Sequence, residues 1–167
     1  MKVQDEHMYH GAALAQIAEN PQFTAINALK VGGKNSKSTY KVNDSIAVYL
    51  KYASKPIGTY KEYNFTFTTS HLSEMKRIVS TDHMLYIALV CIKGREVCCI
   101  SYEDLINMID KRKEAHGGKE SQYTILCTLK PKQAFRVNMN QPGKKKTYLL
   151  TKSLVVKRNT FPSVLFN

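Results

Sequence analysis

Residues 84–92, MLYIALVCI, form a near-continuous apolar run. The run is far too short to span a bilayer. A strand that faces water on one side alternates apolar and polar residues; a run without alternation belongs to a strand covered on both faces. The fold must therefore place packed layers on both sides of a sheet. The flanking residues fit such a layered α/β chain. Residues 63–68, YNFTFT, alternate as a half-buried strand, with Tyr63, Phe65 and Phe67 on one face. A helix follows through about residue 79, capped by Thr69 or Ser70, with Leu72 and Met75 facing inward.

Residues 7–19 read as an amphipathic helix stopped by Asn20-Pro21. Residues 23–30 read as a strand, and 31–38 (VGGKNSKS) as a loop by their Gly, Asn and Ser content. Residues 40–53 hold one long strand, or two strands meeting near Asn43-Asp44. After 84–92, Lys93-Gly94-Arg95 turns the chain into a neighbouring strand at 96–101, and Ser101-Tyr102-Glu103-Asp104 opens another helix. Beyond the polar, Gly-paired stretch 111–121 the pattern is strands only, at 123–130, 134–139 and 147–157, with Gln141-Pro142-Gly143-Lys144 as a turn. The expected fold class is α/β (α+β): a central mixed sheet flanked by helices in residues 1–110, a linker at 111–121, and a small basic antiparallel β-meander in 122–167, packed on the core.

Charge divides the chain unevenly. The whole sequence has 25 Lys+Arg against 13 Asp+Glu. Residues 1–110 carry 12 basic and 11 acidic side chains, a balance of +1; residues 111–167 carry 13 and 2, a balance of +11. A shaped surface with so few acids points to a polyanionic partner, first of all nucleic acid, DNA ahead of RNA. The candidate contacts are Lys130, Lys132, Arg136, Lys152, Lys157 and Arg158, with Lys144, Lys145 and Lys146 at a hairpin tip able to track phosphates. The alternative is a non-catalytic adaptor or inhibitor that grips an acidic protein through the same face.

Strong catalytic signatures are absent: there is no GxxxxGK[ST], GxSxG, HExxH or Gly-rich dinucleotide loop. The five histidines lack metal spacing. Cys91, Cys98, Cys99 and Cys127 sit in strand-like apolar runs without a CxxC pair, as buried reduced thiols do. Vicinal Cys98 and Cys99 should point to opposite faces of their strand. The N-terminus lacks the basic-then-apolar layout of a signal peptide, so a cytoplasmic location without membrane contact is expected. The apolar terminus 161–166 should dock back on the core; a contact between copies, making a homo-oligomer, is the alternative.

The order helix, three strands, helix, buried strand over residues 7–92 resembles the core of the restriction-endonuclease-like, or PD-(D/E)XK, nuclease superfamily. In that family one acid opens a strand pair and an acid-x-Lys ends the next strand. The two acids hold Mg²⁺, which activates water and stabilises charge on the phosphate. The resemblance implies Asp44 as the first acid and metal ligand. It sets Tyr49-Leu50-Lys51 at the acid-x-Lys, where Tyr49 replaces the second acid. It implies Lys51 as the catalytic lysine, Glu74 of the following helix as a relocated acid with Lys51 or Lys61 as its basic partner, and Glu19 as the acid ending the first helix. The corresponding expectation is a nucleic-acid-binding protein whose core is an active or degenerate Mg²⁺-dependent phosphodiesterase.

Overall fold

The computed structural model describes residues 1–81, 83–143, 149–150 and 152–167. The chain opens with α1 (Asp5–Ala18), then β1 (Ile26–Val31), β2 (Lys34–Val42), β3 (Ile46–Ala53) and β4 (Glu62–Thr68). Next come α2 (Thr69–Val79), β5 (Met84–Cys91), β6 (Glu96–Ser101) and α3 (Tyr102–His116). The last elements are β7 (Gln122–Thr128), β8 (Phe135–Asn138), β9 (Leu154–Val156) and a closing 3₁₀ turn at Ser163–Phe166.

The apolar run is β5, and it is covered on both faces. It lies inside a mixed five-stranded sheet of order β1-β2-β3-β5-β6, parallel to β3 and antiparallel to β6. Leu85, Ile87, Leu89 and Cys91 enter one apolar cluster, shared with Met75 and Ile78 of α2 and Leu105 and Ile109 of α3. Ala88 and Val90 enter a second cluster, shared with Ala13 and Ile17 of α1 and with Phe161 and Leu165 near the C-terminus. Burying each such large side chain contributes about 1.5–3 kcal/mol, which makes this strand the centre of the fold. Cys98 and Cys99 divide between the two clusters, as strand alternation requires. All four thiols are buried and free.

A second sheet of order β4-β7-β8-β9 is wholly antiparallel. Its inner face, Tyr63, Phe65, Phe67, Tyr123, Ile125, Phe135 and Val137, packs into the first cluster. The central mixed sheet with flanking helices and the small antiparallel sheet thus follow the pattern read from the sequence.

The unit boundary does not. β4 comes from the first segment, yet it forms an edge of the second sheet by seven consecutive pairs with β7. The first residues of the expected linker, 111–116, are the end of α3, which stops at Gly117 in the left-handed region (φ 84°). The expected loop at 31–38 is largely strand: Gly32 and Gly33, both at positive φ, make a two-residue hairpin turn directly into β2. The α2 cap is Thr68, one residue before the expected pair. Its Oγ accepts the His71 N–H, while His71 Nδ1 accepts the Thr68 N–H. Of the expected strand at 147–157 the described part is β9; residues 147, 148 and 151 lie outside the described residues. At the terminus Phe161 and Leu165 are buried on the chain's own core, so the apolar anchors named for a contact between copies are already covered.

Candidate anion-binding cleft and basic rim

β2 leaves its register with β1 midway. Ala28 pairs with Tyr40, but Lys30 pairs with Asn35, so two steps on β1 face five on β2. Bulges of this kind re-aim side chains beside functional sites. Here Ser36 closes the bulge: its Oγ accepts the N–H groups of Ser38 (3.2 Å) and Thr39 (3.1 Å) and donates to the Glu74 carboxylate on α2. The bulge abuts the carboxyl half of β3, where Thr39 lies opposite Tyr49. Between the bulge, β3 and α2 opens a cleft of about 500 Å³.

Its chemistry is that of hydroxyls and cations around one carboxylate. Ser36, Ser38, Lys34 and Lys37 line it from β2, and His71, Glu74 and Arg77 from α2. Burial, reinforced by Glu74, pushes the Tyr49 phenol upward against the smaller opposing influence of the Ser38 side chain, so it stays protonated. Since His71 Nδ1 accepts a backbone N–H, the neutral ring carries its proton on Nε2. Burial first, then the Lys51 charge, holds that imidazole below its ordinary value. Lys51 is itself lowered by burial and lies 5.3 Å from the Phe67 ring centroid. Behind the cleft, opposite Tyr49, Thr39 has a buried hydroxyl with no hydrogen-bond partner among the described residues. Such a set of donors suits an anion.

The four residues that the nuclease resemblance implied do not converge. Glu74 lines the cleft, and Lys51 acts on His71 by its charge without lining it. Asp44 is exposed in the β2–β3 turn, where Asn43 takes positive φ (52°) and its Oδ1 accepts from the Thr24 N–H and hydroxyl. From Ile46 to Lys51 the strand rises roughly 17 Å, so Asp44 is at the wrong end of β3 for a shared ion. Glu19 is the C-cap of α1, which packs on the sheet face opposite Lys51. Tyr49 supplies no carboxylate. Among the described residues no group of three or more His, Cys, Asp or Glu is placed to hold a metal. The donors therefore do not fit the two-acid Mg²⁺ centre, and Asp44 is corrected to a turn residue.

The cations show a different organisation from the one read along the chain. β3 and β5 are parallel and end together at Ala53 and Cys91. Beyond them the Lys93 N–H donates to the Ser54 carbonyl, and the Gly94 N–H to the Tyr63 hydroxyl at the start of β4 (3.0 Å). A Cβ on Gly94 would meet Leu129 at 2.6 Å, so the missing side chain lets this turn press on the end of β7. The loops that follow β3, β5, β7 and β9 therefore share one edge. Lys55 and Lys61 stand exposed in the first, Lys93 and Arg95 in the second, Lys130 and Lys132 in the third, and Lys157 after β9. Tyr60, 48% exposed, lies among them. The hairpin lysines of the cleft, Lys34 and Lys37, extend the rim along β2.

Of the remaining sequence candidates, Arg136 is exposed on the outer face of the second sheet. Arg158 is corrected to a structural residue: its Nε donates to Glu96 at 2.9 Å, its Nη2 completes a two-point ion pair with the same carboxylate, and its Nη1 reaches the Lys130 carbonyl. Lys152 is exposed beside Asp104 and Lys111, away from the rim. Lys144, Lys145 and Lys146 lie outside the described residues.

Six of the rim and cleft cations, Lys34, Lys37, Lys55, Lys61, Lys93 and Arg95, come from the near-neutral part of the sequence; none was named there as a nucleic-acid contact, and only Lys61 was given a chemical role, as a basic partner beside Lys51. Their one visible signal is position: all but Lys37, which lies between two serines, stand in a turn or beside Gly or Pro. The chain matches no protein-family model, no curated protein and no solved structure. No described helix is long and apolar enough to cross a membrane.

Proposed function

We propose that the protein binds nucleic acid by its phosphate backbone, along the edge where β3, β5 and β7 end, with a phosphate seated in the cleft between β2, β3 and α2. One observation carries this reading: nine exposed lysine and arginine side chains, from four loops and the bulged hairpin, gather on one edge. Crevices at the carboxyl ends of parallel strands are where open α/β sheets take ligands. The cleft adds hydroxyl and imidazole N–H donors, which position a phosphate oxygen more closely than mobile lysines do. Such contacts read charge and not sugar, so they serve DNA and RNA alike. Four strands, β1–β4, stand between α1 and α2 where the nuclease-like resemblance implied three, and the carboxylates do not assemble its metal centre. The function proposed is binding.

The test is fluorescence anisotropy with labelled single-stranded and duplex DNA and RNA over a salt series. With about 6 phosphates neutralised, affinity should fall roughly 10³-fold from 50 to 200 mM salt. Absence of binding at 50 mM salt, or binding indifferent to salt, would overturn the reading. A chain that ignored nucleic acid but bound a polyglutamate or other acidic polypeptide would instead be the acid-binding adaptor.

A further inference from the structure

The outer face of the second sheet should be its solvated side, yet its middle is closed. Asn64 of β4 and Asn138 of β8 flank Leu126 of β7 in register, so the three side chains form one row across three strands. Asn140 follows two residues beyond Asn138 on the same face. Leu126 is only 4% exposed. The side-chain oxygens of Asn64, Asn138 and Asn140 are all buried, and none has a hydrogen-bond partner among the described residues. Asparagine is disfavoured in strands, and a buried carbonyl without a donor is costly. Three of them on one face of one sheet require a reason.

Beside them is a pocket of about 340 Å³, within the size range of small-molecule sites. Asn64 and Asn140 border it, Leu126 gives it an apolar surface, and Gln122 and Thr124 stand at its side. One wall is held rigid. Arg112 Nε and Nη2 donate to the two Glu120 oxygens (2.6 and 3.0 Å), and Arg112 Nη1 donates to the Asn140 backbone carbonyl (2.6 Å). That pairing also cancels the local charge, so the pocket does not select a phosphate. It offers carboxamides, each with an acceptor and donors side by side, around an apolar surface.

We propose that this pocket takes a nucleobase carrying an exocyclic amine, unpaired from any complement. A carboxamide matches a base edge on which a donor and an acceptor are adjacent, and a base has an apolar face for Leu126. Of the unpartnered oxygens, those of Asn64 and Asn140 belong to residues that line the pocket, and these are the acceptors that the amine would satisfy. That the base belongs to a bound strand rests on the reading of the rim; the pocket chemistry does not. Together they describe a single strand whose phosphates follow the basic edge while one base turns into the second sheet.

The experiment titrates the full chain with adenosine, cytidine, uridine and glucose, following the asparagine side-chain amide resonances by NMR. It then compares oligo-dA, oligo-dC and oligo-dT with a duplex, for the wild type and for Asn64→Ala and Asn140→Ala. Adenosine or cytidine should shift the amides of Asn64 and Asn140, with uridine and glucose weaker by tenfold or more. The variants should melt no lower than the wild type, lose tenfold or more in nucleoside and single-strand affinity, and keep duplex binding and its salt slope. Nucleosides that shift no amide, a preference for glucose, or variants that bind single strands unchanged would overturn the pocket. Were oligonucleotides still bound in those cases, the rim would stand without it. Nucleoside binding without oligonucleotide binding would keep the pocket and remove the rim.

Discussion

The two ends of the strands are built from the same charged residue types and use them differently. At the end where β3 and β5 begin, acids have local structural tasks. Asp44 occupies a turn, and Glu103 and Asp104 stand in the first turn of α3, where a helix N-terminus favours negative charge. At the other end the charges are cationic, exposed and carried by loops, while Glu96 is taken up by Arg158. A charge that caps a helix is consumed by the fold. Charges held on neighbouring turns by several strands are available to a ligand. The contrast depends on the parallel pairing of β3 with β5, which brings the loops after both strands to one edge.

The largest effect should follow from reversing charge at that edge. Lys93→Glu with Arg95→Glu replaces two exposed cations on one turn. It should weaken oligonucleotide binding by about 10²-fold at moderate salt and lower the salt slope by about 2. Asp44→Lys, which raises the net charge at the opposite end, should leave affinity within about twofold. Equal responses at the two ends would reduce the rim to general electrostatic attraction. Glu74→Gln asks a sharper question of the cleft, because the sign of its effect differs between readings. Gln keeps an oxygen for the Ser36 hydroxyl but removes the one carboxylate that would face an anion in the cleft. Affinity should rise about three- to tenfold. A metal-dependent phosphodiesterase would instead lose its Mg²⁺-stimulated nicking of plasmid, which a gel measures.

How much of this was legible in the sequence follows from which features are local. The run 84–92 is a two-sided strand because nine side chains leave no polar face, and the YNFTFT alternation fixes the inner face of β4. The cap of α3 at Ser101 is equally local. Partnership is not. Nothing in Glu62–Thr68 says that it joins β7 rather than β3, so the boundary near residue 110 failed. The β2 bulge is a mismatch between two strands and is invisible in either alone. Because the bulge lies next to Tyr49, the cleft forms from Ser36, Ser38, His71 and Glu74, while Asp44, seven residues before Lys51 in sequence, lies at the other end of β3. The charge count misled for the same reason. Summed along the chain it favoured residues 111–167, yet six cations at the edge come from loops and from the start of β2 in the first 110 residues, where acids elsewhere in space cancel them on paper.

A smaller effect compares the two helix caps. Thr68→Ala and Ser101→Ala each remove a side-chain acceptor for a first-turn N–H, and each should cost about 1 kcal/mol in denaturant unfolding. Binding should separate them. Thr68 fixes the turn from which His71 enters the cleft, so its loss should also weaken oligonucleotide binding a few-fold. Ser101, at the start of α3, should leave binding unchanged. If both variants bound equally well, His71 would not be a ligand-facing group.

The smallest effect is in pH, and it opposes stability to binding. Burial lowers both His10 and His71 from the ordinary value of 6.5. The native rings therefore stay neutral while those of the unfolded chain protonate, so the unfolded state binds more protons below about pH 6.5. Stability from these groups is present above that pH and is lost as pH falls below it. His10→Gln and His71→Gln should each reduce the drop in unfolding free energy between pH 7.5 and 5.5. Only His71 faces the cleft. A phosphate seated there favours the imidazolium, which gives up the bond that Nδ1 accepts from the Thr68 N–H; where the anion more than offsets that loss, the His71 value rises in the complex and binding tightens as pH falls over the interval in which the free protein loses stability. His10, packed against Tyr52 on the other face of the sheet, should give no such dependence. Measuring both quantities across the same pH series, in the wild type and the two variants, separates a histidine that only resists protonation in a packed site from one whose protonation an anion assists. Loss of the pH-dependent binding in His10→Gln and not in His71→Gln would move the anion away from the cleft.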